Sequence, residues 1–286
     1  MTIAATLDLV LAARAGGYAV PGVNIVDSFS MAGVVQAAEE QRSPVIIQTS
    51  VKTVRVVGAV ALGAMYRELA GKATVPIALH LDHCPDRSII TLAINSGWSS
   101  VLFDASDRDY DTALAETAEV VRQAHSAGVS VESEIENIAG VEDDVGAEQE
   151  GRHYDTERLA QFVESTKCDL FAPALGTAHG LYRQRPLLRV DRALGLSAAL
   201  PTPLVLHGGT GLAVEDFQAF ITAGCAKINI STTLKLAYLR ALRTGLNEAS
   251  ATGVWDPPKV FDRGVIAVRD DVAAHIGHFG SAGRAI

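Results

Sequence analysis

The sequence predicts an α/β protein, a (β/α)8 TIM barrel formed by a single domain over residues 1–286 with an extra C-terminal helical segment. Its 286 residues are a typical length for one such barrel. Eight strand-like runs alternate with amphipathic helical segments. Most runs are continuously apolar, as expected for parallel strands that are covered on both faces. A doubly wound open sheet would show the same alternation and is the alternative fold.

The predicted strands are short runs rich in Val, Ile, Leu and Ala. They are Tyr18–Ile25, Pro44–Ser50, Pro76–His83, Ser100–Ser106, Ser130–Asn137, Leu170–Thr177, Pro203–Gly209 and Ala226–Thr232.

The predicted helices lie between these strands and have apolar residues at three- and four-residue spacing. They include Phe29–Gln41, Val54–Ala70, Asp109–Ala127, Asp155–Thr166 and Val214–Ala223. Gly97, Gly128 and Gly224 end helical segments, where a left-handed cap is favoured.

Two segments fall outside the strand–helix repeat. Residues 138–154 are acidic, contain several glycines and are too long for an ordinary connection between a strand and a helix. We expect them to form a lid over the barrel mouth, with a solvated surface loop as the alternative. The tail from about Val254 forms the extra C-terminal segment.

Composition limits the partners of this protein. The net charge is −9, which disfavours nucleic acid or an anionic membrane as a main partner. The three cysteines are too far apart for a CxxC metal or redox motif. The first residues do not resemble a signal peptide, and no apolar run is long enough to span a membrane. These features predict a cytoplasmic enzyme.

Three histidines stand at the ends of three predicted strands. His83 ends the third strand, His179 follows the sixth and His207 lies in the seventh. The carboxyl ends of barrel strands face one mouth, so we expect the three imidazoles to converge there. Three such ligands with one open position are typical of a catalytic zinc site. Asp82 precedes His83 and provides an acid or base beside the metal.

The fifth predicted strand carries three glutamates at a spacing of two, Glu132, Glu134 and Glu136. This spacing places them on one face of the strand. Buried carboxylates need partners, so a metal or a polar barrel centre is expected beside them. A hydrated polar rim is the alternative.

Two loops favour a phosphate site. The run Gly208–Gly211 follows the apolar part of the seventh strand, and the run Asn229–Thr233 follows that of the eighth and leads into a helix from Leu234. Loops after strands seven and eight form the recurrent phosphate site of this fold. Glycines permit close backbone approach, and a helix N-terminus favours an anion. A plain turn followed by a helix cap is the alternative.

With these residues, nearly the whole chain resembles the class II, zinc-dependent fructose- and tagatose-bisphosphate aldolases. The motifs that carry the resemblance occur in family order. They are Val-Pro-Gly-Val-Asn, Ser-Pro-Val-Ile-Ile-Gln, His-Leu-Asp-His, Val-Glu-Ser-Glu-Ile, Gly-Thr-Ala-His-Gly-Leu-Tyr, Leu-His-Gly-Gly-Thr-Gly, Ala-Lys-Ile-Asn-Ile-Ser-Thr and Gly-Ser-Ala-Gly-Arg.

The resemblance implies a role for each candidate residue. His83, His179 and His207 would bind zinc, with Glu134 as an alternative or second-site ligand. Asp82 would exchange a proton with the C4 hydroxyl, and Glu142 would move the C3 proton of dihydroxyacetone phosphate. The implied substrate residues are Asn24, Ser50, Gly180, Arg183, Gly208, Gly209, Thr210, Gly211, Asn229, Ser231 and Thr232. A monovalent cation, Na⁺ or K⁺, near the phosphate and a homodimer or homotetramer are also implied.

The expected activity is therefore reversible cleavage of a ketose 1,6-bisphosphate through a zinc-stabilised enediolate. The chain departs from family motifs at Ile135–Gly140, at Arg183 and at Ser231–Thr233, which leaves the aldehyde product open. A metal-dependent sugar-phosphate isomerase or epimerase is the alternative function. A non-catalytic phosphosugar-binding barrel is a third.

Overall fold

A closed barrel of eight parallel strands forms the centre of the protein. The computed structural model describes residues 3–138, 140–142, 145–147, 152–180, 182 and 185–285, with the backbone alone for 141, 142 and 145–147. The barrel strands are β1 Val20–Asn24, β2 Val45–Ser50, β3 Ile77–Cys84, β4 Ser100–Asp104, β5 Ser130–Glu134, β8 Leu170–Phe171, β9 Leu204–Leu206 and β10 Cys225–Ile230.

The strands follow the order β1-β10-β9-β8-β5-β4-β3-β2 around the barrel. The first and last strands of the barrel pair directly, with Val20 opposite Lys227 and Val23 opposite Ile230. This closure confirms the predicted (β/α)8 barrel, and the open-sheet alternative is wrong.

A small hairpin lies outside the barrel in the long segment after β5. It consists of β6 Gly140–Glu142 and β7 Val145–Ala147, which pair in antiparallel register. The segment therefore has secondary structure of its own in its described part.

Helices connect the barrel strands and cover their outer faces. They are α1 Thr6–Gly16, α2 Ser28–Gln41, α3 Val51–Val57, α4 Ala59–Ala70, α5 Arg87–Asn95, α6 Tyr110–Ser126, α7 Thr156–Thr166, α8 Val190–Ala199, α9 Val214–Thr222, α10 Thr232–Thr252 and α11 Pro257–His278. Within the described residues, no helix is both long enough and apolar enough to cross a membrane.

Most predicted helices are confirmed to within one residue at either end, but Val54–Ala70 as one helix is wrong. The chain there forms α3, which begins earlier at Val51, and α4, separated by Gly58 at φ 93° and ψ 135°. This conformation breaks the helix and is open to glycine alone among common residues. Gly97, Gly128 and Gly224 adopt positive φ, as the predicted caps require.

Several predicted strands extend too far at their carboxyl ends. The sixth predicted strand ends at Phe171 rather than Thr177, and the seventh ends at Leu206 rather than Gly209. Positive-φ glycines, Gly176 and Gly208, lie in the following segments and redirect the chain. The residues that follow Phe171 and Leu206 therefore do not pair in the sheet and line the mouth of the barrel.

The two ends of the barrel interior differ in polarity. Leu9, Val10 and Ala13 of α1 pack with interior residues such as Val20 and Ile46, and so close the amino end with an apolar cluster. The metal-binding candidates lie toward the carboxyl end, and a buried hydrogen-bonded chain from Thr6 through Ser100 to His80 connects α1 with the barrel interior.

The C-terminal helix α11 packs against α2. The Phe29 and Phe261 rings stack with centroids 4.6 Å apart. A Cβ added at Gly33 would lie 2.6 Å from the Val265 carbonyl oxygen, so the two helix backbones approach closely there. This contact confirms the predicted extra C-terminal helical segment.

The break at Gly58 generates a stability prediction. Gly58→Ala should lower the free energy of unfolding by about 1–3 kcal/mol, because the site has space for a Cβ but a backbone conformation that alanine resists. The matched control is Gly195→Ala in α8, where a Cβ also meets no atom within 4 Å and φ is not positive. It should be neutral or stabilising by up to about 1 kcal/mol. Denaturant unfolding measures the free energy of unfolding of both variants. Equal changes in the two would contradict the role of the Gly58 backbone conformation.

Candidate active site

The predicted site residues converge at the carboxyl end of the barrel. The His83 ring centroid lies 4.6 Å from that of His207 and 4.8 Å from that of His179. One ligand atom from each imidazole lies within 4.8 Å of the others. Three residues separated by 96 and 28 positions in the chain thus form one group that could hold a metal ion.

Asp82 and His83 both face this site although they are consecutive in one strand. Neighbouring side chains of a regular strand point to opposite faces. Here His83 adopts a left-handed backbone conformation with φ 42°, and the register between β3 and β4 shifts between Leu81 and Cys84. Such a bulge re-aims a side chain. The strained turn at His83 allows a carboxylate and an imidazole from adjacent residues to lie side by side.

His207 is held between another imidazole and a carboxylate. Its Nδ1 lies 2.9 Å from Nε2 of His83, and its Nε2 lies 2.7 Å from Oε1 of Glu132. Nζ of Lys227 donates to Oε2 of the same glutamate at 2.7 Å. The side chains of His207, Glu132 and Lys227 are fully buried. A ring proton on Nε2 would be donated to Glu132 and would leave Nδ1 of His207 available to a metal.

A second possible metal group shares His83. Its other members are Asp104 and Glu134, with Oδ2 of Asp104 3.5 Å and Oε2 of Glu134 3.6 Å from Nδ1 of His83. Glu134 therefore lies where an alternative or second-site ligand is expected. Asp104 was not predicted as a ligand from the sequence. Its position at the end of β4 is the signal that could have identified it.

The buried polar atoms fit a cation. Oε2 of Glu134 is buried and has no hydrogen-bond partner among the described residues. Imidazole nitrogen and carboxylate oxygen are the donor types that zinc and related divalent metals accept. An orphaned carboxylate oxygen facing two imidazoles is costly unless a cation completes its contacts. The residues present therefore fit a divalent metal.

The pKa values of the cluster show how strongly its charges interact. Burial lowers the pKa of His83, but the neighbouring carboxylates outweigh it and hold that pKa well above its usual value. Burial, reinforced by the charge of Asp104, raises the pKa of Glu134. Burial and the positive charge of His83 lower the pKa of His207. Positive charge is thus favoured beside the carboxylates, and a bound metal would provide it.

Asp82 is fixed by two amides. Asn24 donates to its Oδ2 at 2.8 Å and Asn229 donates to its Oδ1 at 3.1 Å. Gln48 in turn donates to Oδ1 of Asn24 at 2.8 Å. Each of these side chains is buried. The carboxylate consequently has one orientation beside the metal ligands, and Gln48 is a supporting residue that sequence reasoning missed.

The three glutamates of the fifth strand do not share one environment. Glu132 and Glu134 lie inside the barrel at its charged centre, as described above. Glu136 lies beyond the end of β5 and accepts hydrogen bonds from Arg192 at 2.6 Å and from backbone amides. The expected polar barrel centre is present, but the third glutamate lies outside it.

The candidate phosphate residues also lie together at the mouth. Gly208 approaches the Ala178 backbone so closely that an added Cβ would lie 2.6 Å from its carbonyl oxygen. Gly180, Gly208 and Gly211 all have positive φ. Positive φ favours glycine, and successive backbone amides in such turns can bind an anion.

Hydroxyl groups lie beside these glycines. Thr210 and Ser231 are buried, and the Ser231 hydroxyl has no hydrogen-bond partner within the described part of the chain. Thr232 begins α10, a helix of 21 residues whose N-terminus favours an anion. Tyr182 accepts from the Ala178 amide at 3.1 Å and donates to the Gly208 carbonyl, which joins the two loops.

The other predicted residues have different outcomes. Ser50 ends β2 opposite Asp82 and caps α3 through the Thr53 amide at 3.4 Å. Glu142 lies in β6, but its side chain lies outside the described residues. Arg183 also lies outside them, together with Asp143 and Glu148 of the acidic segment.

Comparisons with known proteins agree on one family. The family model "Fructose-bisphosphate aldolase class-II" matches residues 4–284. The Bacillus subtilis (strain 168) protein named "Probable fructose-bisphosphate aldolase" is 37% identical over 289 residues, with 100% of both chains covered. The fructose-bisphosphate aldolase of Staphylococcus aureus (strain Mu50) is 36% identical over 291 residues, also with both covered in full. The crystal structure of the YdjI aldolase from Escherichia coli K12 has a TM-score of 0.83 at 30% identity, covering 99% of this chain and 100% of that one.

The contact between Glu132 and His207 generates a prediction about metal affinity. If His207 binds a divalent metal, Glu132→Gln should weaken that binding, probed with zinc, by about 10- to 100-fold, since the partner that orients a metal-binding histidine typically contributes that much. Competition with a chromogenic chelator measures the affinity. The control is Glu119→Gln, which breaks an exposed 2.8 Å ion pair with Arg87 and should bind zinc as the wild type does. Equal affinities in both variants would show that His207 does not depend on Glu132.

Proposed function

Because the chain belongs to the class II fructose-bisphosphate aldolase family, we propose that it reversibly cleaves a ketose 1,6-bisphosphate, or a close ketose-phosphate relative, into dihydroxyacetone phosphate and an aldehyde. The protein is an aldolase, a lyase that breaks a carbon–carbon bond. The observation that carries the proposal is the convergence of His83, His179 and His207 beside Asp82. An isomerase or epimerase is not favoured, since the full-length relatives carry aldolase names.

The three histidines are the proposed ligands of the catalytic metal, which we take to be zinc. Glu134, with Asp104, is the proposed alternative or second-site ligand. When bound, the metal would act as a Lewis acid for the negative charge of the enediolate that cleavage leaves. Three imidazoles with an open position are the donor set of a catalytic rather than a structural zinc site.

Asp82 is the proposed group that exchanges a proton with the C4 hydroxyl. Its two carboxylate oxygens accept from Asn24 and Asn229, so its orientation does not depend on the substrate. Proton transfer requires the acid or base to lie within hydrogen-bond reach of the reacting oxygen. A substrate bound at the imidazole cluster would bring its hydroxyl to this carboxylate. Asn24 and Asn229 would also contact the ketone portion.

Glu142 is the proposed group that moves the C3 proton of dihydroxyacetone phosphate. The hydroxyl proton and the carbon-bound proton lie at different points of the substrate, so two carboxylates suit the reaction better than one. The backbone of β6 supports this assignment, because Gly140 lies against the backbone of His179. That contact brings the strand that carries Glu142 to the edge of the metal cluster.

The loops after β8, β9 and β10 are the proposed phosphate site. Gly180, the run Gly208–Gly211, Ser231 and Thr232 would bind the phosphate through backbone amides and hydroxyls, with Arg183 as an added cation. A monovalent cation, Na⁺ or K⁺, would bind nearby. Ser50 would lie near the aldehyde product.

The protein is further proposed to be a cytoplasmic homodimer or homotetramer. Its three cysteines are buried and not joined as disulfides, which suits a reducing compartment.

Product formation tests the proposed function. The purified enzyme, incubated with fructose and tagatose 1,6-bisphosphate and with 6-deoxy and 6-sulfonated analogues, should release dihydroxyacetone phosphate from at least one of them. A chelator should abolish the release and zinc should restore it. Borohydride with substrate should leave the enzyme active, because no lysine imine is proposed. Full activity in demonstrably metal-free protein would contradict the proposal.

A second prediction separates the proton-transfer group from the metal ligands. Asp82→Asn should keep zinc yet lose cleavage by about two to four orders of magnitude, the usual contribution of a general acid or base. His207→Ala should lose both zinc and cleavage. Zinc content by atomic absorption and turnover are measured on the same samples. Loss of zinc from Asp82→Asn would identify Asp82 as a metal ligand instead.

A further inference from the structure

Glu136 forms a junction between chain segments that meet beside the metal cluster. The side chain is fully buried, although the residue lies beyond the end of β5. Its Oε1 accepts from the Tyr154 amide at 2.8 Å, and its Oε2 accepts from the Ala174 amide at 3.0 Å. Tyr154 follows the β6–β7 hairpin, and Ala174 precedes His179 by five residues. One carboxylate therefore joins the chain that leaves β5, the chain that returns from the hairpin and the chain that leads to His179.

Arg192 of α8 balances the charge of this carboxylate. Its Nη2 donates to Oε1 of Glu136 at 2.6 Å and to the Tyr154 carbonyl at 2.9 Å. Its Nη1 lies 2.9 Å from Nδ1 of His153. The arginine is itself only 11% exposed. A buried, charge-paired carboxylate with its hydrogen bonds made has a well-defined position, and removing one partner is costly.

The two segments joined by Glu136 also touch each other at the metal cluster. Gly140 begins β6 at φ 92°, and a Cβ added there would lie 2.4 Å from the carbonyl oxygen of His179. The hairpin backbone and the His179 backbone are therefore in direct contact. Glu136 precedes Gly140 by four residues on one side of this contact, and the Ala174 amide that it binds precedes His179 by five residues on the other.

We propose that Glu136, paired with Arg192, is a positioning residue for the aldolase reaction. It fixes the β6–β7 hairpin and the His179 segment relative to the metal ligands on the other strands. The effect on turnover rests on the proposed function, in which β6 carries Glu142. The effect on metal affinity does not rest on the proposed function, because it acts through the position of His179 alone.

Glu136→Gln is the informative variant. Glutamine keeps the shape of the side chain but replaces one acceptor oxygen with an NH2 group, which faces one of the two backbone amides and cannot accept from it. Zinc affinity, measured by chelator competition, should fall about tenfold, as expected when the support of a metal ligand is disturbed. Turnover and deuterium exchange at C3 of dihydroxyacetone phosphate should fall about tenfold or more, with less than about a threefold change in KM.

Two further variants keep the test decisive. Arg192 lies nearer the surface than Glu136, so Arg192→Met provides the test if Glu136→Gln does not fold. Arg192→Met should also lower zinc affinity, turnover and exchange at C3. Arg192→Lys keeps the charge and should recover part of the loss. The control is Glu119→Gln, whose exposed partner is Arg87, and it should match the wild type throughout.

The outcomes separate this inference from the proposed function. A lower unfolding midpoint with wild-type zinc affinity, turnover and exchange in the folded Glu136 and Arg192 variants would overturn it, since Glu136 would then be structural only. Failure of the wild type to release a triose phosphate would overturn the proposed function instead. In that case the zinc affinities still decide whether Glu136 positions His179.

Discussion

Burial of carboxylates inside a closed barrel is the constraint on which the rest of this structure depends. Asp82, Asp104, Glu132 and Glu134 are each at most 4% exposed, and an unpaired buried charge is expensive. Amides orient Asp82, and a buried lysine pairs with Glu132. His83 lies 3.5 Å from Asp104 and 3.6 Å from Glu134. One oxygen of Glu134 has no hydrogen-bond partner in the described structure. A cation bound here would complete the charge balance of this cluster, and its binding would then also stabilise the fold.

The apolar contacts that stabilise the barrel and the candidate site residues lie at opposite ends of it. Helix α1 closes the amino end with apolar contacts, so the hydrophobic effect acts where no chemistry takes place. The carboxyl end can then carry polar groups that would weaken an ordinary core. Lys227 is one of these groups, since its ammonium is fully buried and donates to Glu132, the residue that also contacts His207.

The two proposed proton-transfer residues have different supports. Asp82 lies in a barrel strand and is held by amides from two neighbouring strands, so its position is rigid. Glu142 lies in the β6–β7 hairpin outside the barrel, and Glu136, paired with Arg192, accepts from the Tyr154 amide on the chain after that hairpin. One proposed group therefore belongs to the barrel itself, and the other belongs to a segment added outside it.

Much of this could be predicted from the sequence, because parallel strands impose a simple rule. Their carboxyl ends share one mouth, so apolar runs ending in His83, His179 and His207 were enough to place three imidazoles together. The same rule brings the glycine-rich loops after the seventh and eighth strands to this mouth, where we propose the phosphate site. Helix ends followed from local spacing and from glycine caps, which depend only on neighbouring residues.

The tertiary structure alone decided the features that depend on pairing across the barrel. The bulge that turns His83 beside Asp82 arises from a register shift against β4, and strand register is not visible in one strand's sequence. The partners of Glu132, Glu136 and Asp104 lie on other elements, so their roles as support, junction and second metal group could not be read from spacing. The break at Gly58 looked like the interior of a helix because its neighbours keep the apolar period. Local chemistry determined what each segment could become, and long-range contacts between segments decided which side chains became neighbours.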